Sequence, residues 1–244
     1  MKSWLMYVLG LGRELLAEDE AMQGWVLGRG ISERLMDEMV LGKWPRIKGE
    51  YDPAPNEEFR ERYGTHGQAL VGSLVIPLWS PRGSLLGVHV RGYREKKLTR
   101  HMLPESKWNP VFFGLTRSAM ERIWAGGAVW LGEGDFDMGA LDQATPKTDV
   151  ALGCLTAKLS YPQVAFCRRF VRGGVNMAFD NDEAGHRGMH DWTDDAGKRV
   201  WGGLSKLAHV GVECRAVSYR GGKDPGEIWE NTGTEGLKRA LRIM

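Results

Sequence analysis

The stretch VNMAFDNDEAGHRG, residues 175–188, carries an apolar run straight into two aspartates one residue apart and then into small residues. A short apolar run that ends on carboxylates has the pattern of a buried strand whose carboxyl end opens onto a polar site. Two explanations of Asp180 and Asp182 are open at this level. Asp182 can cap a helix beginning near Glu183, where negative charge is favourable. Alternatively, the pair joins other carboxylates around a cation. An EF-hand loop fails on context: Ala184 has no ligand at position five, Asp191 stands where a bidentate Glu belongs, and a strand precedes the loop.

Further strand-like runs surround this one: GAVWLGE at 127–133, DVALG at 149–153 and VGVECRAVS at 210–218. Helical stretches lie between them, around Phe136 to Gln143, Pro162 to Phe170 and Glu183 to Ala208. Strand and helix in alternation predict right-handed crossovers and a parallel sheet covered on both faces. In such a sheet the ligand crevice lies at the carboxyl ends of the strands, where Glu133, Asp180 and Asp182 fall. Carboxylates that converge repel one another unless a cation neutralises them, and an all-oxygen set suits Mg²⁺ or Mn²⁺.

The first half has a different texture. ISERLMDEMVLG, 31–42, puts Ile31, Leu35, Met36, Met39 and Val40 on one helical face, with Ser32 as N-cap and Gly42 past the end. SLVIPLWSPRGSLLGVHVRGY, 73–93, predicts two strands, Leu74 to Trp79 and Leu85 to Arg91, joined by a turn at Ser80 to Gly83. This half is mixed α+β. The change of texture at Gly114 to Met120 divides the chain into a basic α+β subdomain, 1–116, and an α/β domain, 117–244.

The 244 residues, 42% hydrophobic, are enough for one large domain or two small ones. Cys154, Cys167 and Cys214 are odd in number and form no C-x-x-C pair, which fits a reducing, cytoplasmic setting and opposes a structural zinc module. MKSWLMYVLGLGRELL has no small-residue cleavage site, and Arg13 and Glu14 interrupt it below spanning length, so neither a signal peptide nor a membrane anchor is expected. The formal charge of +2 is nearly balanced, but Arg91, Arg94, Lys96, Lys97, Arg100 and Lys107 face only Glu95 and Glu105, forming a basic strip. By itself such a strip is equally a solvated charged loop. His186 and His190 have zinc-compatible spacing without a third ligand, and tryptophans such as Trp25, Trp130 and Trp201 fit core anchors.

A second motif, VWLGEGDFDMGAL at 129–141, pairs with the first: Glu133-Gly134 with Asp137, then Asp180-Asn181-Asp182, resemble the Glu-Gly and Asp-x-Asp signatures of the TOPRIM fold. The joining segment from Ala151 to Gly185 is similar to the DnaG-type primase branch of that fold. Upstream, residues 74–93 resemble the primase strand pair ending on a basic residue, Arg91. TRHMLPESKWNPVFFGL at 99–115 resembles the segment with a basic-aromatic pair (Arg100-His101), Pro104-Glu105 and Phe113-Gly114-Leu115. Downstream, Lys223-Asp224-Pro225 resembles the motif after the last strand, though Gly226 replaces a second Asp and His101 an aromatic ring.

The resemblance implies a TOPRIM-like, doubly wound, mostly parallel sheet preceded by a smaller α+β subdomain. It implies a primase catalytic core, phage-like or mobile-element-like, that makes short RNA primers from ribonucleoside triphosphates on single-stranded DNA. The implied catalytic residues are Glu133, Asp137, Asp180 and Asp182, with Mg²⁺ or Mn²⁺ on Glu133, Asp180, Asp182 and Asp224. Phosphates or template fall to Arg91, Lys96, Lys97, Arg100, His101 and Lys223, with Trp108 as a further stacking face. The family's zinc module and helicase-docking segment find no counterpart in this sequence, so a zinc-module protein or replicative helicase acting in trans is the expected partner, and no membrane is. A TOPRIM nuclease, or a replisome-binding protein that synthesises nothing, is the alternative.

Overall fold

Ser32 opens a helix through its side chain: Oγ accepts the Leu35 N–H at 3.3 Å, and α3 runs over Glu33–Met39. It ends one step earlier than Gly42 implies, at Val40 in the left-handed region. In this computed structural model, residues 2–47, 57–64, 67–93, 98–103, 106 and 109–243 are described, so Lys96, Lys97, Pro104, Glu105 and Trp108 of the sequence motifs lie outside them. Two helices, α1 (Lys2–Ala17) and α2 (Glu20–Leu27), precede α3. No helix among the described residues is long and apolar enough to cross a membrane.

An antiparallel sheet follows, ordered β1 (Gly42–Lys43), β2 (Leu74–Trp79), β3 (Leu85–Arg91) and β4 (Leu98–Met102), with α4 (Glu57–Tyr63) between β1 and β2. Both predicted strands are present at the expected bounds. Pro77 is tolerated inside β2 because β1 pairs only with Leu74 and Val75, leaving the rest of that edge without a ladder partner among the described residues. The period of two divides the sheet's faces. Val75, Val88 and Val90 pack on Trp4, Leu5 and Trp44, whereas Leu74, Ile76 and Leu78 turn toward the second half of the chain.

After α5 (Arg117–Trp124), the second sheet is wholly parallel, in the order β10 (Cys214–Ala216), β7 (Val175–Met177), β5 (Val129–Gly132) and β6 (Val150–Gly153). Its helices are α6 (Asp135–Ala144), α7 (Tyr161–Phe170), α8 (Glu183–Met189), α9 (Gly203–His209) and α10 (Pro225–Leu241). Alternate residues again serve opposite faces. Trp130 and Ala151 join the core of α6, α10 and the N-terminal helices, while Val129, Leu131, Val150 and Leu152 join that of α5 and α7. The sheet is therefore covered on both faces, the geometry that apolar runs without polar alternation require.

One prediction fails here. The stretch from Glu183 to Ala208 is not a single helix: α8 and α9 flank a hairpin of β8 (Trp192–Thr193) and β9 (Arg199–Val200). Asp194 turns the hairpin by accepting the Ala196 and Lys198 N–H groups, and Asp191 accepts the Gly202 N–H at 2.9 Å. These side-chain bonds compete with helix continuation.

The two halves share one core. Leu16, Met22, Val26, Ile31, Leu74 and Ile76 are in one buried cluster with Phe113, Trp130, Phe136 and Leu141. The halves approach closely at Gly139, where a Cβ would fall 2.7 Å from Ile31 Cγ1 and 2.9 Å from the Gly30 carbonyl, and Gln143 Nε2 donates to that same carbonyl at 2.7 Å. One buried cluster therefore packs against both the antiparallel and the parallel sheet.

Candidate metal centre

β5 is the first strand of the parallel sheet in the chain and has β6 on one side and β7 on the other, so the chain crosses from β5 to β6 in one direction and then returns past β5 to β7 in the other. That switch point opens a crevice at the carboxyl ends of β5 and β7. Glu133 follows β5 directly, Asp180 follows β7, and Asp137 sits in the first turn of α6. From the far side, Asp224 caps α10 by accepting the Glu227 N–H at 2.6 Å.

Asp137, Asp180 and Asp224 each bring one carboxylate oxygen to within 4.8 Å of the others. Asp137 is held by two backbone donors, Gly134 N–H at 3.0 Å on Oδ2 and Gly226 N–H at 3.2 Å on Oδ1. Glu133 lies beside the trio, its Oε1 accepting the Asp180 N–H at 3.1 Å. Asp182 turns away to cap α8, accepting the Gly185 N–H at 2.9 Å, and Lys223 Nζ lies 3.2 Å from it and 3.6 Å from Asp180. Within the Asp-x-Asp pair, Asp182 caps a helix while Asp180 clusters with other carboxylates.

The electrostatics match a site short of positive charge. Burial, then Asp224, pushes the Asp180 carboxyl up to about 6, and burial followed by Asp180 pushes Glu133 up to about 7. Asp137 is raised as well, by burial and then by Asp224. Asp182 moves the other way, lowered by the Gly185 N–H and Lys223. Asp180 Oδ1 is buried without a hydrogen-bond partner. An orphaned carboxylate oxygen among oxygen donors, with Lys223 the only cation ion-paired to the centre's carboxylates among the described residues, fits a hard divalent cation. Of the residues expected to bind metal, Asp180 and Asp224 meet in the trio, and Glu133 and Asp182 flank it. Asp137, expected only in the catalytic set, is the third member.

The basic residues are distributed more widely. Arg91 is not free: Nη1 lies 2.8 Å from the buried Asp135 Oδ1, and its guanidinium sits 4.1 Å over the Phe136 ring. It ties β3 to the first turn of α6. Arg100 Nη2 donates to the Leu155 carbonyl at 3.0 Å, in the loop after β6. His101 pairs in register with Val88, and its side chain is outside the described part. His186 and His190 lie ring to ring, 4.7 Å apart, on α8 and its cap.

Two residues escaped sequence reasoning. Asn181, the middle of Asp-x-Asp, binds the Lys223 loop three ways: its N–H donates to the Lys223 carbonyl at 2.7 Å, and Nδ2 donates to the carbonyls of Gly222 and Tyr219. Gly185 lets α8 approach, since a Cβ there would lie 2.2 Å from the Asp180 carbonyl and 2.8 Å from Glu133 Oε1. A small residue after the aspartates was the only local signal.

An open parallel sheet with an acidic, all-oxygen centre at its switch point is the architecture of a divalent-cation site. No sequence-family profile and no curated protein sequence matches the chain. Solved structures do. The Aquifex aeolicus primase, comprising zinc-binding and RNA polymerase domains, aligns over 98% of this chain and 59% of its own, with TM-score 0.69 and 23% identity. The RNA polymerase domain of Mycobacterium tuberculosis primase DnaG aligns over 99% and 82%, with TM-score 0.65 and 19% identity. A DnaG primase catalytic domain bound to single-stranded DNA aligns over 99% and 80%, with TM-score 0.66 and 16% identity. The chain has the fold of a DnaG-type primase catalytic core, and it spans about three fifths of the length of the Aquifex protein.

Proposed function

We propose that the chain is a primase catalytic core of TOPRIM type, joining ribonucleotides on a single-stranded DNA template with the help of Mg²⁺ or Mn²⁺. The observation that carries this is the trio of Asp137, Asp180 and Asp224 at the switch point of a chain that aligns with primase cores almost end to end. The trio, with Glu133 beside it, would hold the ion, which when bound supplies charge neutralisation for phosphate oxygens.

The remaining chemistry is positioning. The Gly134 and Gly226 N–H groups fix both oxygens of Asp137, and Asn181 fixes the loop that carries Lys223 and Asp224. Lys223, 57% exposed, is free to swing from Asp182 to an incoming triphosphate. Glu133 keeps one oxygen on the Asp180 N–H and has the other for the proton of an attacking hydroxyl. Arg100 at the mouth faces the template, while Arg91 is committed to Asp135 and acts by placing α6.

The test is a synthesis assay with labelled ribonucleotides, Mg²⁺ or Mn²⁺ and mixed single-stranded templates. Labelled oligomers that vanish in Asp180→Asn support the proposal. Shortened template with no labelled product assigns a nuclease instead, and neither outcome in the presence of bound DNA assigns a binding protein.

A further inference from the structure

Asp224 reaches the acidic centre on a segment whose sequence gives it little stiffness. Arg220, Gly221, Gly222 and Lys223 separate it from Tyr219, and Gly221 stands at φ 103°, in a region that side chains disfavour. Asp180, by contrast, directly follows Ala178 and Phe179, both buried at the end of β7. Three carboxylates repel one another. A ligand on a two-glycine loop therefore swings outward from Asp137 and Asp180 unless contacts outside the trio hold it.

Two side chains hold the loop from opposite directions. Asn181, next to Asp180, reaches across to it: the backbone N–H donates to the Lys223 carbonyl at 2.7 Å, and Nδ2 donates to the carbonyls of Gly222 at 3.1 Å and Tyr219 at 3.3 Å. Tyr219, where the loop begins, reaches back: its hydroxyl donates to the Phe179 carbonyl at 2.7 Å, one residue before Asp180. The Tyr219 side chain is buried in the core shared with Phe136, Ile228 and Leu237, so this anchor is shielded from water. Glu227 completes the brace, its carboxylate accepting the Lys223 N–H while its own N–H donates to Asp224. Asn181 and Tyr219 donate here only to backbone carbonyls, so they act on where the ligands stand and not on the ion itself.

We propose that Asn181 and Tyr219 are positioning residues that set the aperture between Asp180 and Asp224, and through it the preference of the centre for small Mg²⁺ over larger Ca²⁺. This role rests on the reading of the trio as a divalent-cation site. Mg²⁺ takes oxygens at ~2.1 Å in a near-ideal octahedron, whereas Ca²⁺ accepts roughly 2.3–2.6 Å and irregular geometry. Oxygens on opposite sides of the ion are then ~4.2 Å apart for Mg²⁺ and roughly 4.6–5.2 Å apart for Ca²⁺. The oxygens of the trio lie within 4.8 Å of one another, the span over which that difference is decided. A centre clasped against spreading fits the smaller shell; one that opens under its own repulsion fits the larger.

The experiment reads Mn²⁺ affinity by electron paramagnetic resonance on the full chain, and Mg²⁺ and Ca²⁺ affinities by displacement of that Mn²⁺. Asn181→Ala removes the Nδ2 bonds, and Tyr219→Phe removes the hydroxyl while keeping the ring in the core. Each variant is expected to lose ~10-fold or more in Mg²⁺ affinity, the scale on which a ligand-orienting partner acts. The loss for Ca²⁺ is expected to be smaller, so the ratio of Mg²⁺ to Ca²⁺ affinity falls. General loosening of the fold weakens all three ions alike, so the ratio separates positioning from mere support. Melting temperatures in EDTA establish folding, and Asn181, which is exposed, provides the test if loss of the buried Tyr219 hydroxyl unfolds the chain. An unchanged ratio in the folded variants overturns the proposal, even where all affinities fall together. A wild-type chain that binds no Mn²⁺ overturns it as well, and with it the metal reading of the trio; wild-type binding with an unaltered ratio in the variants removes the clasp alone.

Discussion

Removing one charge from the acidic centre is expected to stabilise the metal-free chain while abolishing its response to metal. Asp180→Asn keeps the shape of the side chain and deletes the charge that faces Asp224 and Asp182. Burial and Asp224 lift the Asp180 carboxyl from 3.8 to about 6, net of what Lys223 returns. At ~1.4 kcal/mol per pKa unit, ionised Asp180 costs the folded chain about 3 kcal/mol relative to an exposed carboxylate. Because the folded value lies above the unfolded one, the native state binds more protons between pH 3.8 and about 6, and stability falls as pH rises through that window. The amide recovers only part, since it forfeits the Lys223 contact at 3.6 Å and leaves Oδ1 in the same unpartnered position. A gain of about 1–2 kcal/mol, or roughly 2–8 °C in melting temperature, is the expected result in EDTA at pH 7.5. Mn²⁺ at a hundred times its dissociation constant is expected to add ~2.7 kcal/mol to wild type and little to the variant. Differential scanning calorimetry in EDTA and in Mn²⁺ decides the matter. A variant that melts at or below wild type in EDTA, or that gains as much from Mn²⁺, refutes the reasoning.

Gly185→Ala is expected to destabilise the chain by about 1–3 kcal/mol and to weaken Mn²⁺ binding, because the added Cβ meets the Asp180 carbonyl and Glu133 Oε1; isothermal titration showing wild-type Mn²⁺ affinity contradicts this. Arg91→Ala leaves Asp135, 4% exposed, without its partner, and a loss of about 3–5 kcal/mol in urea denaturation is expected; Arg91→Ala with Asp135→Ala must recover much of it. His89 is buried beside Phe113, and burial holds it down to about 4 from 6.5. The unfolded chain therefore binds its proton first, and stability falls by on the order of 3 kcal/mol as pH drops through that window. His89→Leu should flatten the decline, and an undiminished slope would falsify the assignment to His89.

Much of the centre was legible because its residues are set by local rules. Glu133 and Asp180 stand where apolar runs end, and strands ending on carboxylates place those groups at the crevice whatever the rest of the chain does. Helix α3 announced itself by period and by Ser32, and two of the four strands of the first sheet by apolar runs on either side of the Ser80 to Gly83 turn. The hairpin between α8 and α9 was hidden because Asp191 and Asp194 act through backbone bonds whose donors a helical pattern also offers. Arg91 looked like a free cation because nothing in its own strand predicts an ion pair with Asp135, forty-four residues on.

What the sequence by itself determined was the inventory: which segments bury, where the apolar runs stop, and which carboxylates, Glu133, Asp180 and Asp182, stand beside those ends, with Asp224 added by the resemblance of its motif. Only the tertiary structure decided which carboxylates converge. Asp137 owes its place in the trio to the Gly226 N–H, eighty-nine residues away, and Asp182 owes its absence to the first turn of α8. Periodicity and capping act over a few residues, so a sequence displays them directly. The strand order β10-β7-β5-β6 is set by how crossovers pack, and charge pairing across it depends on distances that exist only once the sheet has formed.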